Sequence, residues 1–141
     1  MRAPPAAPYE TREAHNADAV LMIRPAHFGA NAETAGSNFF QHASAATPSC
    51  AASAKREFDS LAVALAGAGV RVHQFAGQPN RALPDEIFPN NWLSLHADGT
   101  AVLYPMLAAN RRAERRPELL TVLGEQHGYR IERIVDLTAF E

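Results

Sequence analysis

The apolar positions fall into short runs with two distinct periods. Residues 19–23 (AVLMI) are wholly apolar and are followed by Arg24-Pro25, the pattern of a strand buried on both faces and ended by Pro25. From residue 54 the spacing becomes three and four. Phe58, Leu61, Ala62, Leu65 and Ala68 share one side and Lys55, Arg56, Glu57 and Asp59 the other, which predicts an amphipathic helix closed by Gly67 and Gly69. Val70, Val72 and Phe75 then alternate with Arg71 and Gln74 around His73, as in a half-exposed strand. Trp92, Leu93 and Leu95 lead into His96-Ala97-Asp98-Gly99-Thr100 and an apolar return over 101–104, so a hairpin is expected to turn at Asp98-Gly99. A second helix is predicted over 113–127. Leu119, Leu120, Val122 and Leu123 form its apolar side, Pro117 sits in its first turn and Gly128 lies just past its end. Residues 129–137 (YRIERIVDL) alternate into a last strand. The order is strand, helix, strand, strand, strand, helix, strand, which describes an α/β chain of small units.

Two regions escape this pattern. Residues 1–17, rich in Pro and Ala with mixed charge, read as a poorly ordered leader to a domain over 18–141. Residues 26–54 hold no sustained period, and a loop of that length in a compact domain is either functional or wrongly read as a loop. A short helix is expected within 31–40. Asn31, Glu33 and Asn38 belong either to a covering loop or to local turns.

Composition removes several classes of function. A chain of 141 residues, 47% hydrophobic, can bury one ordinary core. A net charge of -2 suggests neither a nucleic acid nor a membrane surface as partner. The run Arg111-Arg112-Ala113-Glu114-Arg115-Arg116 lacks interleaved aromatics and reads as a solvated helix face rather than a phosphate-binding patch. One cysteine excludes an internal disulfide, no apolar run approaches the ~18 residues of a membrane span, and the expected location is cytoplasmic. The six histidines show no metal-ligand spacing, so no metal is expected. Cys50, in an Ala/Ser-rich stretch without an adjacent histidine, reads as structural or incidental.

Candidate chemistry concentrates in residues 84–92, PDEIFPNNW. A carboxylate pair, Asp85 and Glu86, and an amide pair, Asn90 and Asn91, stand just before a buried strand among Ile87, Phe88 and Trp92. Burying the apolar residues draws the polar ones partly out of water, where they need partners from the backbone or from a ligand. Either Asn90-Asn91 form an Asx turn capped by Asp85, or the cluster faces a pocket.

The segments IRPAHFGAN (23–31), NFFQ (38–41), PDEIFPNNW (84–92), and DGTAVLYPM followed by NRRAERR (98–116) resemble the citrulline-utilisation hydrolases of the amidinotransferase superfamily, which also holds arginine deiminases and dimethylarginine dimethylaminohydrolases. The resemblance implies an α/β propeller of the pentein kind, of which this chain would form roughly two of five units. It also implies chemistry without metal or cofactor, in which a cysteine thiolate attacks a guanidino or ureido carbon while a histidine protonates the leaving nitrogen. Both residues belong to the C-terminal part of the family pattern, which is expected to lie outside this chain, so no residue here is assigned to catalysis.

What carries over is the anchoring side, D-x-x-F-x-x-[D/N], which matches Asp85, Phe88 and Asn91 with Asn90 before the last position. Relatives that act on guanidinium groups carry acids at this strand end; here the pair is Asn90-Asn91. An amide offers both donor and acceptor, which suits a neutral ureido group. The resemblance thus implies a small amino-acid substrate, citrulline or arginine-like, bound by Asp85, Asn90 and Asn91. Arg24 is either a clamp for the substrate carboxylate or a structural donor. The alternatives are an inactive binding or structural remnant and an arginine deiminase or dimethylarginine hydrolase type of activity. Open sheet edges would allow self-association.

Overall fold

A computed structural model of the chain describes residues 17–36 and 48–141. The expected leader up to residue 16, Asn38 and the NFFQ segment lie outside the described residues. The first unit is β1 (Ala19–Arg24), α1 (Pro48–Gly67) and β2 (Arg71–Ala76), with β1 and β2 parallel from Ala19 opposite Arg71 to Arg24 opposite Ala76. The second is β3 (Leu93–Leu95), β4 (Thr100–Leu103), α2 (Ala109–Arg112), α3 (Glu118–His127) and β5 (Arg133–Asp136). Here β3 pairs antiparallel with β4 and β4 parallel with β5, so β4 is central and β3 and β5 are edges. Short 3-10 turns at Pro89–Asn91 and Thr138–Phe140 complete the order. The α/β class and the succession of strands and long helices agree with the sequence reading.

Local chemistry explains the hairpin. Gly99 takes φ +80, the Asp98 carboxylate accepts from the Thr100 N–H at 2.9 Å, and His96 N donates to Thr100 O at 2.9 Å. Gly128, at φ 72, closes α3, and its N–H reaches Leu123 O.

Several boundaries differ from expectation. The first helix starts at Pro48, so Cys50 lies in α1 and not in a loop. The second starts at Glu118, because Pro117 occupies the position before its first turn and residues 109–112 form the separate α2. The last strand is only Arg133–Asp136. Residues 32–36 form turns. β1 was expected to be buried on both faces, yet only Ile23 is fully enclosed, because β1 belongs to a two-stranded sheet.

The core joins the two units. Ile23 of β1 packs with Trp92, Leu93, Ala101, Leu103, Met106, Leu119 and Leu120, and both Ile23 and Trp92 are 0% exposed. Enclosing Trp92 fixes the chain just before β3, and so fixes where residues 85–91 stand.

A second junction is aromatic. His73 of β2 lies 4.3 Å from the His127 ring at the end of α3 and shares a 2.9 Å hydrogen bond with the Tyr129 hydroxyl, while Arg71 covers the Tyr129 ring at 5.5 Å. Burial first, then the neighbouring His127 and Arg71, hold the His73 imidazole below its ordinary pKa. A folded-state pKa below the unfolded one gives stability that is present above the unfolded value, about 6.5, and is lost as pH falls through the folded value. Thermal unfolding between pH 7.5 and 5 should therefore show a loss that is smaller in His73→Gln; an identical loss in that variant would contradict the assignment.

Candidate functional site

The site begins with a tight succession of turns. Phe88 N donates to Asp85 O at 3.0 Å, Asn91 N to Phe88 O at 3.2 Å and Trp92 N to Pro89 O at 3.1 Å, with Pro89 preset for the 3-10 turn. Main-chain partners are thus met by main chain. The side chains of Asp85 and Asn91 are directed elsewhere, and the Asx turn weighed from sequence does not form.

Neighbouring carboxylates part company here. Glu86, 1% exposed, turns into the fold and accepts from Ala26 N at 2.7 Å through Oε1 and from Gln78 N at 2.9 Å through Oε2. It ties the end of β1 to the end of β2. Asp85 turns the other way. Its Oδ2 accepts from Asn31 Nδ2 at 2.7 Å and lies 3.7 Å from Arg111 Nε, both ionic side chains being about 15% exposed. The pair read together in sequence therefore has two separate roles.

Around Asp85 a set of distant residues closes. Asn31, 1% exposed, receives on Oδ1 the Nδ2 of Asn110 at 2.7 Å and the backbone N–H of Glu33 at 3.1 Å. Glu33 in turn accepts from Asn110 N at 2.9 Å. Asn31 and Glu33 thus combine a local turn with long-range anchoring, where sequence left turn and covering loop as alternatives. Arg111 donates to Asn91 Oδ1 at 3.0 Å and to the buried Glu114 at 3.0 to 3.3 Å. Burial pushes the Glu114 carboxyl above its ordinary value, while Arg111 pulls it down and Asp85 and Glu86 add to the rise.

Of these groups Asp85, Asn91 and Arg111 line a cleft of about 440 Å³. Its polar wall is Thr34, Asp85, Asn90, Asn91 and Arg111; its apolar wall is Phe88, Met106, Leu107 and Ala108. A larger cavity, about 580 Å³, shares Phe88 and Asn90 with it and is otherwise mostly apolar, with Leu21, Met22, Phe58 and Leu61 among its walls and Cys50 at one side. Phe88, expected to be buried, is 42% exposed because it stands between the two. The polar cleft is the better candidate for chemistry, since convergent polar groups fix a ligand's orientation.

Two sequence readings look different in the structure. Arg24, the candidate carboxylate clamp, is not among the cleft's lining residues: its fork grips Asp59 of α1 at 2.7 and 2.9 Å, holding that carboxyl below its usual range, the geometry of a structural donor. The run 111–116 is not a solvated face. Arg112 donates to Met106 O at 2.8 Å, Arg115 binds Glu141 at 2.5 and 2.7 Å, and Arg116 donates to Ala76 O at 2.7 Å. Sequence singled out neither Asn110 nor Glu114. Only Asn110's place ahead of the arginine run could have drawn attention to it, and no periodicity marks either residue.

Among the described residues no group of three or more His, Cys, Asp or Glu side chains converges on a metal position, and no helix is long and apolar enough to cross a membrane. The sequence model of a family described as N,N dimethylarginine dimethylhydrolase, eukaryotic, matches residues 24–141. No curated protein and no solved structure matches. The match covers every residue of the cleft and all elements after β1, and it agrees with the resemblance carried by PDEIFPNNW and NRRAERR: the chain belongs to the dimethylarginine dimethylhydrolase family, within the amidinotransferase superfamily.

Proposed function

We propose that the cleft is the anchoring half of a hydrolase site for ureido or guanidino C–N bonds, and that it takes the neutral ureido head of a citrulline-like amino acid. One observation carries this reading: a carboxylate, Asp85, and an amide, Asn91, face the same cleft. Asp85 Oδ1 accepts no hydrogen bond among the described residues and offers an acceptor for substrate N–H groups, while the Asn91 NH2 offers a donor for a carbonyl oxygen. A ureido head has both partners. A guanidinium has donors only, and meets Asp85 well but Asn91 badly.

Among the described residues the cleft walls include neither cysteine nor histidine, and the thiolate and the proton donor of the superfamily's reaction are to be supplied from outside these walls. Cys50 lines the apolar cavity and is not offered as the nucleophile. The 141-residue chain alone is therefore read as binding without turnover, its two units as part of a larger propeller, and the β3 and β5 edges, with Leu95 and Ile134 exposed on them, as surfaces for association.

Hydrolysis of methylated arginine is a second reading, supported by the name of the matching family. Titrating the purified chain with citrulline, arginine and dimethylarginine, followed by NMR, separates the two. Citrulline should bind tightest, and Asp85→Ala should weaken it about tenfold or more, the worth of one charge-assisted hydrogen bond. Tighter binding of either guanidino compound, or no binding by any of the three, would overturn the ureido reading. Release of ornithine and ammonia from citrulline would contradict binding without turnover.

A further inference from the structure

We infer that Arg111 is a positioning residue for specificity: it sets which end of the Asn91 amide faces the substrate, and through that the choice between a ureido and a guanidinium head. The inference rests on the ureido reading of the cleft. A guanidinium has five N–H donors and no acceptor. With Arg111 Nη1 at 3.0 Å, only the oxygen end of Asn91 can meet it, since a flipped amide would set donor against donor. The two ends of an asparagine are otherwise interchangeable in shape, so the neighbour's chemistry makes the assignment. With Oδ1 engaged by Arg111, the NH2 is the end of the amide left to meet a ligand in the cleft that Asn91 lines.

Arg111 can act this way because it is itself immobilised. Its side chain is 14% exposed; Nε and Nη2 are held by Glu114, Nη2 also reaches Asp85 O at 3.5 Å, and Nη1 projects to Asn91. A lysine drawn to the buried Glu114 has no second arm for Asn91, so the amide would be free to turn and present oxygen or nitrogen to a ligand.

The test is a double-mutant cycle of wild type, Arg111→Lys, Asn91→Asp and the double variant, read as the ratio of arginine to citrulline dissociation constants, with circular dichroism as the check on folding. A carboxylate at position 91 is symmetric and has no orientation to lose. Asn91→Asp should favour arginine. Arg111→Lys should lower the preference for citrulline about tenfold when position 91 is asparagine, and change the ratio by less than about twofold when it is aspartate. An equal change in both backgrounds, or none in either, would overturn the inference, because a structural or purely electrostatic role of Arg111 acts on both alike. Should Arg111→Lys not fold, Glu114→Gln, which loosens Arg111 and keeps its volume, takes its place in the cycle with the same expectation. A wild-type chain without preference for citrulline would instead defeat the reading of the cleft.

Discussion

Gly77→Ala should destabilise the protein by about 3 kcal/mol and lower its melting temperature by roughly 10 °C, because the added methyl has nowhere to go. A Cβ at this position would fall on Glu86 Oε1, within 2.6 Å of Ala26 N and 2.7 Å of Arg24 O. Two of these atoms are backbone, held by the last rung of the β1–β2 ladder and by the hydrogen bond from Gly77 N to Arg24 O at 2.8 Å. The third is the buried carboxylate that joins Ala26 to Gln78, and displacing it strands two backbone donors. The effect should reach the cleft, since Glu86 is adjacent to Asp85. Gly124→Ala is the control: in the interior of α3 its nearest neighbour is Tyr129 O at 3.5 Å, and the change should be neutral or mildly stabilising. Urea unfolding of both variants checks this, and a Gly77→Ala protein as stable as wild type would refute the clash.

Arg111→Ala should cost about 3 to 5 kcal/mol, the usual penalty for leaving a buried charge without its partner. Glu114 is 1% exposed and would face Asp85 and Glu86 without an opposing charge. It would then bind a proton more readily. The sign follows from the raised pKa: stability is fully present below the unfolded value and is lost as pH rises through the folded one. The variant should therefore be nearer to wild type at pH 5 than at pH 8, and Arg111→Ala/Glu114→Gln should be more stable than Arg111→Ala alone. Unfolding curves at the two pH values measure both effects. A pH-independent deficit, unrelieved by Glu114→Gln, would mean that the lost interaction is packing along the arginine stem and not the ion pair.

Neighbouring residues show how far the sequence could be read. The Asp98-Gly99 turn and the helical period through Phe58 and Ala62 were legible because each is settled within a few residues by turn chemistry or by one apolar stripe. The start of α3 was misjudged by a few residues because Pro117 fits before the first turn as well as within it. The arginines at 111–116 were taken for a solvated face because spacing cannot show that Arg116 and Arg112 reach carbonyls of β2 and of the loop after β4, or that Arg115 reaches Glu141. Arg24 was undecided for the same reason, its partner lying 35 residues away on α1.

By itself the sequence determined the order of the elements, the hairpin, and the presence of acids and amides just ahead of a buried tryptophan, all of which follow from periodicity and from contacts near in the chain. The tertiary structure decided which carboxylate is buried in the fold and which lines the cleft, and which end of the Asn91 amide meets Arg111. Those outcomes depend on where the chain returns: Asn31 meets Asn110 across 79 positions and Asn91 meets Arg111 across 20, distances over which no local pattern constrains a pairing until the core around Ile23 and Trp92 has closed.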